Sequence, residues 1–252
     1  MQGGLCPTLD LAWYGDLFRW MRGRWPALHI HALSPPEITY LARRAGIGIS
    51  ETIERLRAAG LDSIPGGGAE ILSDRVRAAR SPRKCMADEW IAVMRAAHRL
   101  GMRTSATMVI GLGETAAERV EHLERIRALQ DDTGGFTAFI VWTHQPGPRA
   151  SAEARAAAPI GAWDYLRTLA VARLYLDNVP NLQASWVTQG RDIAQLALLF
   201  GANDLGSTML EENVVAAAGT RFRLGPEEMR AIAEELGMRL VRRDFYYSVC
   251  QE

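Results

Sequence analysis

The sequence predicts an α/β domain with a parallel sheet, of the (β/α)-barrel type, complete or partial. Three observations carry this. Strand-like and helix-like runs alternate from residue 28 to residue 142. Two of the helix-like runs stop at glycines, Gly60 and Gly101. The segments after the strand-like runs collect Gly, Pro and carboxylates. Repeated strand–helix units imply parallel strands joined by right-handed crossovers. A doubly wound open sheet is the rival, because alternation alone fits both folds.

Taken in order, residues 10–25 place Leu11, Trp13, Tyr14, Leu17, Phe18 and Met21 at helical spacing, and Pro26 ends the run. Residues 28–33 read as a strand. Ser50 is placed to cap a helix over 51–59, with Gly60 as its stop. Residues 61–64 read as a short strand running into Pro65-Gly66-Gly67-Gly68. A helix over 88–100 precedes a strand over 103–110. Thr115 and Glu118 have capping-box spacing and open a helix to about residue 130. Residues 135–142 form a strong strand pattern. Beyond it the pattern predicts a helix over 163–176, a strand over 183–187, a helix over 189–200 and a turn-rich stretch over 201–208. A last helix spans 226–236, with Pro226 early and Gly237 as its stop. Strands are expected at 238–241 and 245–247. Residues 150–158 break the composition and read as a surface loop.

At 252 residues the chain suffices for one barrel-sized domain or two small ones. Hydrophobic residues make up 48% and charged residues 23%, as in ordinary globular proteins. Formal net charge is zero, which gives no electrostatic reason to expect nucleic acid or an anionic membrane as partner. No apolar run approaches the ~18 residues that span a bilayer. The first seven residues lack the basic start and apolar core of a signal peptide, so a cytoplasmic location is expected. Cys6, Cys85 and Cys250 are far apart and show no CxxC spacing, so they read as three free thiols.

Ligands of parallel α/β folds bind at the C-terminal ends of the strands. Three of the segments expected there contain a carboxylate: Glu37, Glu70 and Glu114. A carboxylate accepts hydrogen bonds from ribose hydroxyls or an ammonium group. The plainer reading is a first-turn glutamate favoured by the helix dipole. Gly66-Gly67-Gly68 permits a close backbone approach to a ligand, or simply a tight turn. No Gly-Lys-Ser/Thr follows it, and Gly111-x-Gly113 lacks a third glycine, so neither phosphate motif is complete. His29 and His31 fall on one face of the expected strand, either lining a pocket or packing in the core. Residues 185–189, Ser-Trp-Val-Thr-Gln, suit a small-molecule pocket or a core strand edge equally.

Longer motifs carry a resemblance. His29-Ile-His-Ala-Leu-Ser-Pro-Pro-Glu37, Ala59-Gly-Leu-Asp-Ser-Ile-Pro-Gly-Gly-Gly-Ala-Glu-Ile71 and Gln183-Ala-Ser-Trp-Val-Thr-Gln189 resemble the cyclic dehypoxanthine futalosine synthases. So does Gly201-Ala-Asn-Asp-Leu-Gly-Ser-Thr-Met209, and the likeness covers nearly the whole chain. These are radical S-adenosylmethionine (SAM) enzymes of the futalosine route to menaquinone. Aminofutalosine synthases and the deazaflavin-forming subunits of the F420 pathway are the nearest relatives of that group. Ser34-Pro35-Pro36 and Trp142-Thr143-His144-Gln145-Pro146 resemble the cyclases more.

The resemblance implies a partial TIM-like barrel of the radical SAM type with a C-terminal α+β extension. Residues 1–150 would be the barrel body and residues 151–252 its completion and extension. It implies SAM and a 4Fe–4S cluster. The 5′-deoxyadenosyl radical takes a hydrogen from C4′ of the substrate ribose, and the carbon radical then closes a ring. It further implies dehypoxanthine futalosine as substrate and a reduced flavodoxin or ferredoxin as electron donor. Gly3 and Gly4 resemble the element that contacts the methionyl group, Glu70 a ligand of SAM or substrate, and Gly111 and Glu114 the adenine-side element. His29, His31, Gly67, Gly68, Thr107, His144 and Gln189 are expected in the substrate pocket. Glu37 or Glu70 is expected to remove any proton. The CxxxCxxC cluster motif of the group is absent from this sequence, and no residue is assigned as a metal ligand. The first βα unit is therefore expected to be missing, as in an N-terminally truncated and inactive chain. The alternative, from another class, is a cluster-free binding or assembly remnant.

Overall fold

The computed structural model describes residues 1–147, 160–208, 216, 219 and 222–250. Its elements in chain order are α1 (Leu11–Arg24), α2 (Pro35–Ala45), α3 (Ile49–Ala58), β1 (Ser63–Ile64), α4 (Asp74–Arg80), α5 (Ala87–Arg99), β2 (Arg103–Ile110), α6 (Ala116–Thr133) and β3 (Phe136–Thr143). They continue with α7 (Ala162–Tyr175), β4 (Asn181–Gln183), α8 (Trp186–Gln189), α9 (Arg191–Leu199) and α10 (Pro226–Glu234). The sheet has the order β1-β2-β3-β4. Ser63 lies opposite Arg103 and Ala138 opposite Asn181, both in parallel register.

The chain divides into two compact units. The first contains Met1–Thr107 and Ala116–Thr137. Its helices bury apolar faces that include Phe18, Ile38, Leu41, Ile53, Leu56, Val93, Met94 and Ile126. Trp90 stacks on Phe136 at 6.3 Å in this core. Asp10 caps α1 by accepting from the Trp13 amide at 2.9 Å. α2 starts with Pro35 at its first turn and ends on Gly46 at φ 66°, the left-handed stop that a glycine adopts without a Cβ penalty.

The second unit contains Met108–Thr115 and Ala138–Glu252. Leu166, Leu169, Ala172, Leu182, Ala194, Ala197 and Ile232 are buried there. The buried Tyr165 hydroxyl accepts the Ser185 amide at 2.9 Å, and burial pushes its pKa up to about 12. Arg173 ties α7 to the turn beyond α9 through the Gly201 carbonyl at 2.8 Å.

Several expectations need correction. Residues 28–33 form no strand: only His31 pairs, in a single bridge to Ser63, and Leu33 takes a left-handed φ of 59°. β1 is two residues long, and the Asp62 carboxylate takes the Ile30 amide at 2.7 Å in place of a ladder bond. Ser50 lies inside α3, whose N-cap is Gly48. The strand at 183–187 ends at Gln183. The chain then turns helical, with the Thr188 and Gln189 amides bonded back to the Ser185 carbonyl. The helix at 189–200 begins only after Gly190, whose φ of 80° breaks the run. The strands at 238–241 and 245–247 are absent among the described residues. One antiparallel bridge, Arg243 to Val249, stands in that region. α2 and α4 had no helix assigned to them. Residues 150–158 lie outside the described residues.

Candidate functional site

In the first unit, Glu37 sits at the third position of α2 and is 3% exposed. Its Oε1 accepts the Gly3 and Gly4 amides at 2.8 and 3.0 Å. Its Oε2 accepts the Ser34 amide at 2.7 Å and the Ser34 hydroxyl at 2.6 Å. Four donors on two oxygens use the carboxylate's acceptor capacity. The Gly3 and Gly4 amides are thereby spent on Glu37. The Gly4 carbonyl accepts the Cys6 amide at 3.1 Å.

His29 and His31 converge on one hydroxyl. Ser63 Oγ, fully buried, lies 2.7 Å from His29 Nε2 and 2.6 Å from His31 Nδ1. Burial, the nearby chain terminus and His29 lower the His31 pKa to about 3, so this ring is neutral near pH 7. A hydroxyl can donate to one imidazole and accept from the other, so Ser63 fixes both rings.

The triple-glycine loop after β1 is held along its backbone. Gly66 donates to Ser105 Oγ at 3.1 Å, and its carbonyl accepts from Thr107 Oγ1 at 2.6 Å. The Gly67 carbonyl accepts from Trp90 Nε1 at 3.3 Å. Arg77 Nη1 donates to the Ala69 carbonyl, and the Leu72 amide donates to His122 Nδ1 at 3.0 Å. At Gly66 a Cβ would lie 2.6 Å from the Ser105 carbonyl oxygen. At Gly68, φ is 72° and a Cβ would collide with the Pro36 ring. The glycines are therefore required by close approach as well as by conformation.

Glu70 follows in this clamped loop. It is a non-glycine residue at φ 43°, a left-handed conformation that costs energy. Lys84 holds its Oε1. Its Oε2 is buried and has no hydrogen-bond partner. A buried, unpartnered carboxylate oxygen at a strained residue is costly unless a ligand supplies the donor. Thr107 sits beneath the loop, and its hydroxyl supports the Gly66 carbonyl.

In the second unit, Glu114 accepts the Gly111 amide at 2.9 Å and the Leu112 amide at 2.7 Å. The carboxylate thus shapes its own loop, whose glycines take φ of 96° at Gly111 and 85° at Gly113. The His144 amide bonds to the Ile110 carbonyl at 2.8 Å. Gln189 donates to Thr143 Oγ1 at 2.7 Å. Both side chains therefore belong to the segments just past β3 and in α8.

Ser63, Arg77, Lys84 and His122 were not singled out in the sequence. Serine, arginine and histidine gave no local signal. Lys84 did, since it is the only lysine among 29 basic residues.

Residues 3–126 match the Radical SAM superfamily, and residues 133–251 match the CofH/MqnC C-terminal region. A cyclic dehypoxanthine futalosine synthase of Halalkalibacterium halodurans is 43% identical over 99% of this chain and 66% of its own length. One of Streptomyces coelicolor is 44% identical over 94% of this chain and 58% of its own. A 5-amino-6-(D-ribitylamino)uracil–L-tyrosine 4-hydroxyphenyl transferase of Methanoculleus marisnigri is 43% identical over 98% of this chain and 68% of its own length. The chain belongs to the radical SAM superfamily. It spans about two thirds or less of the length of the two cyclic dehypoxanthine futalosine synthases. Methylornithine synthase (PylB), at TM-score 0.63 and 18% identity, covers 91% of this chain and 63% of its own. HydG, a maturase of the FeFe-hydrogenase, gives TM-score 0.57 at 13% identity, over 77% of this chain and 42% of its own. These two show the fold, a partial TIM-like barrel of the radical SAM type.

Membership of the radical SAM superfamily implies SAM and a 4Fe–4S cluster. The described residues do not fit the cluster. Among them no three His, Cys, Asp or Glu side chains group as a metal site, and the three cysteines are free, with Cys85 buried. The buried Glu70 Oε2, without a partner, is an acceptor suited to a hydroxyl or ammonium donor such as SAM carries. Among the described residues, no helix is long and apolar enough to cross a membrane.

Proposed function

We propose that this chain binds SAM and dehypoxanthine futalosine and serves the cyclisation of the latter on the futalosine route to menaquinone. Identity of 43% to 44% with cyclic dehypoxanthine futalosine synthases, over nearly the whole chain, is the observation that carries this reading. Within it, Glu70 Oε2 would accept a donor from SAM, and Gly3 and Gly4 would contact its methionyl group. In the first unit His29, His31, Gly67, Gly68 and Thr107 are proposed to contact substrate; in the second, His144 and Gln189 are proposed to do the same, and Gly111 and Glu114 to contact the adenine of SAM. Of the two carboxylates weighed for proton removal, Glu70 has an oxygen to spare and Glu37 does not. A reduced flavodoxin or ferredoxin remains the proposed electron donor, and the cytoplasm the proposed location.

A second reading has support of its own. Three methanogen relatives named as 4-hydroxyphenyl transferases match at 40% to 43% identity over 98% of the chain. Binding separates the two readings without requiring a cluster. Isothermal titration of the chain with dehypoxanthine futalosine is expected to show saturable heat. Titration with L-tyrosine or with 5-amino-6-(D-ribitylamino)uracil is expected to show none. The opposite pattern would assign the chain to the transferases, and heat from none of the three would leave the remnant reading in place.

A further inference from the structure

Arg77 is 1% exposed and makes no ion pair among the described residues. A buried cation without a counter-ion is unfavourable, so its role must lie in what it holds. Its Nη1 donates to the Ala69 carbonyl. Its Nε donates to the Cys85 carbonyl at 2.9 Å, and its Nη2 donates to the same oxygen. Ala69 precedes Glu70, and Cys85 follows Lys84. One rigid guanidinium fork therefore fixes both backbones that carry the Glu70–Lys84 pair. Lys84 then takes one oxygen of Glu70 and leaves the other buried and unpartnered. The loop around them is clamped independently by Thr107, Trp90 and His122.

We infer that Arg77 and Lys84 are positioning residues for Glu70. Arg77 sets the spacing of the two backbones and Lys84 fixes the rotamer of the carboxylate. Together they present Glu70 Oε2 as a pre-organised acceptor for a hydroxyl or ammonium donor of SAM. The inference rests on the reading of Glu70 as a SAM ligand and adds to it the two groups that aim it. Pre-organisation raises affinity because the ligand does not have to order the acceptor.

Two measurements on the full chain test it. First, the single lysine allows reductive ¹³C-methylation to report Lys84 as one side-chain resonance beside that of the N-terminus. Glu70→Gln and Arg77→Met should each shift that resonance in the absence of any ligand. An unmoved resonance in Arg77→Met overturns the role of Arg77, whatever SAM does. Second, SAM binding is measured by calorimetry for wild type, Glu70→Gln, Lys84→Gln and Lys84→Arg. Glu70→Gln is expected to lose about tenfold to a hundredfold in affinity, the range of a hydrogen bond to a charged group. Lys84→Gln is expected to lose about tenfold, with most of it restored by Lys84→Arg. Lys84 is partly exposed, so its variants keep the fold even where Arg77→Met does not. If Glu70→Gln loses binding while Lys84→Gln binds as wild type, the positioning role of Lys84 is wrong and the ligand role of Glu70 stands. If Glu70→Gln binds as wild type, the ligand role is wrong as well. Competition by adenosine or by methionine identifies which donor, ribose hydroxyl or ammonium, reaches Oε2.

Discussion

Replacing Glu37 by glutamine removes one acceptor from a site that four donors fill. The glutamine NH2 has to face either the Gly3 and Gly4 amides or the Ser34 amide and hydroxyl. The second orientation costs less, because the Ser34 hydroxyl can turn and accept. The Ser34 amide is then left opposed by another donor in a buried setting. One unsatisfied buried donor, plus weakening of the bonds that had a charged acceptor, amounts to about 2–4 kcal/mol. For a chain of this size that is a fall of roughly 6–12 °C in melting temperature. Glu37→Ala, which strands all four donors, should fall further. Thermal unfolding followed by far-UV circular dichroism at neutral pH reads the effect. A Glu37→Gln melting temperature within about 2 °C of wild type would refute the four-donor account. The carboxylate would then be available as the proton acceptor that the sequence alone suggested.

Three further outcomes follow from the same geometry. His122, His98 and His31 have pKa values lowered by burial first, to about 3, about 4 and about 3. Below the unfolded value near 6.5 the unfolded chain binds protons that the folded chain does not, so stability falls as pH drops from 6.5 towards 4. Fully buried His122 alone contributes about 2 kcal/mol of loss by pH 5, and His122→Asn should flatten the curve in urea unfolding at a series of pH values; stability that is level from pH 7 to pH 5 would contradict this. Gly46 and Gly68 share a left-handed φ, but a Cβ at Gly46 meets nothing within 4 Å, whereas one at Gly68 lies 2.8 Å from Pro36 Cδ. Gly46→Ala should cost about 1 kcal/mol and Gly68→Ala at least about 2, compared by urea midpoints; equal midpoints would show that the loop yields. In the second unit, Tyr247 Oη donates to Asp204 Oδ2 at 2.6 Å, and Arg243 lies 4.2 Å from the ring centroid. Tyr247→Phe should cost about 1–2 kcal/mol, and no loss would make that bond redundant with the Arg243 pair.

The long elements were legible because their signals are local. β2 is expected over 103–110 and forms over Arg103–Ile110, where the run is rich in Thr, Met, Val and Ile. α1 and α5 likewise follow their apolar spacing and glycine or proline stops. Short elements failed where a tertiary partner decides. Residues 28–33 have strand composition, yet a two-residue β1 offers them only one bridge. Residues 183–187 alternate like a strand, yet the Tyr165 hydroxyl takes the Ser185 amide and turns the chain. α2 opens on Pro35 and Pro36, and a first-turn proline is compatible with a helix although it breaks one in the interior.

For the site, residue type was legible and task was not. Glu37, Glu70 and Glu114 look equivalent in the sequence, each expected past a strand end. Their difference arises from what surrounds them: four donors around Glu37, two loop amides on Glu114, and one lysine on Glu70 with an oxygen left over. The Glu114 partners are two and three residues away and lie in its own loop. Gly3 and Gly4 reach Glu37 from 34 and 33 residues away and Lys84 reaches Glu70 from 14, so local sequence does not reveal those partners. The clamps also explain why the glycine loop need not bind phosphate to justify its composition. Its carbonyls are spent on Thr107, Trp90 and Arg77, and its glycines allow those groups to come close. A loop wired in this way is a rigid mount, and the buried side-chain oxygen without a partner that it carries, Glu70 Oε2, is the atom proposed to meet the ligand.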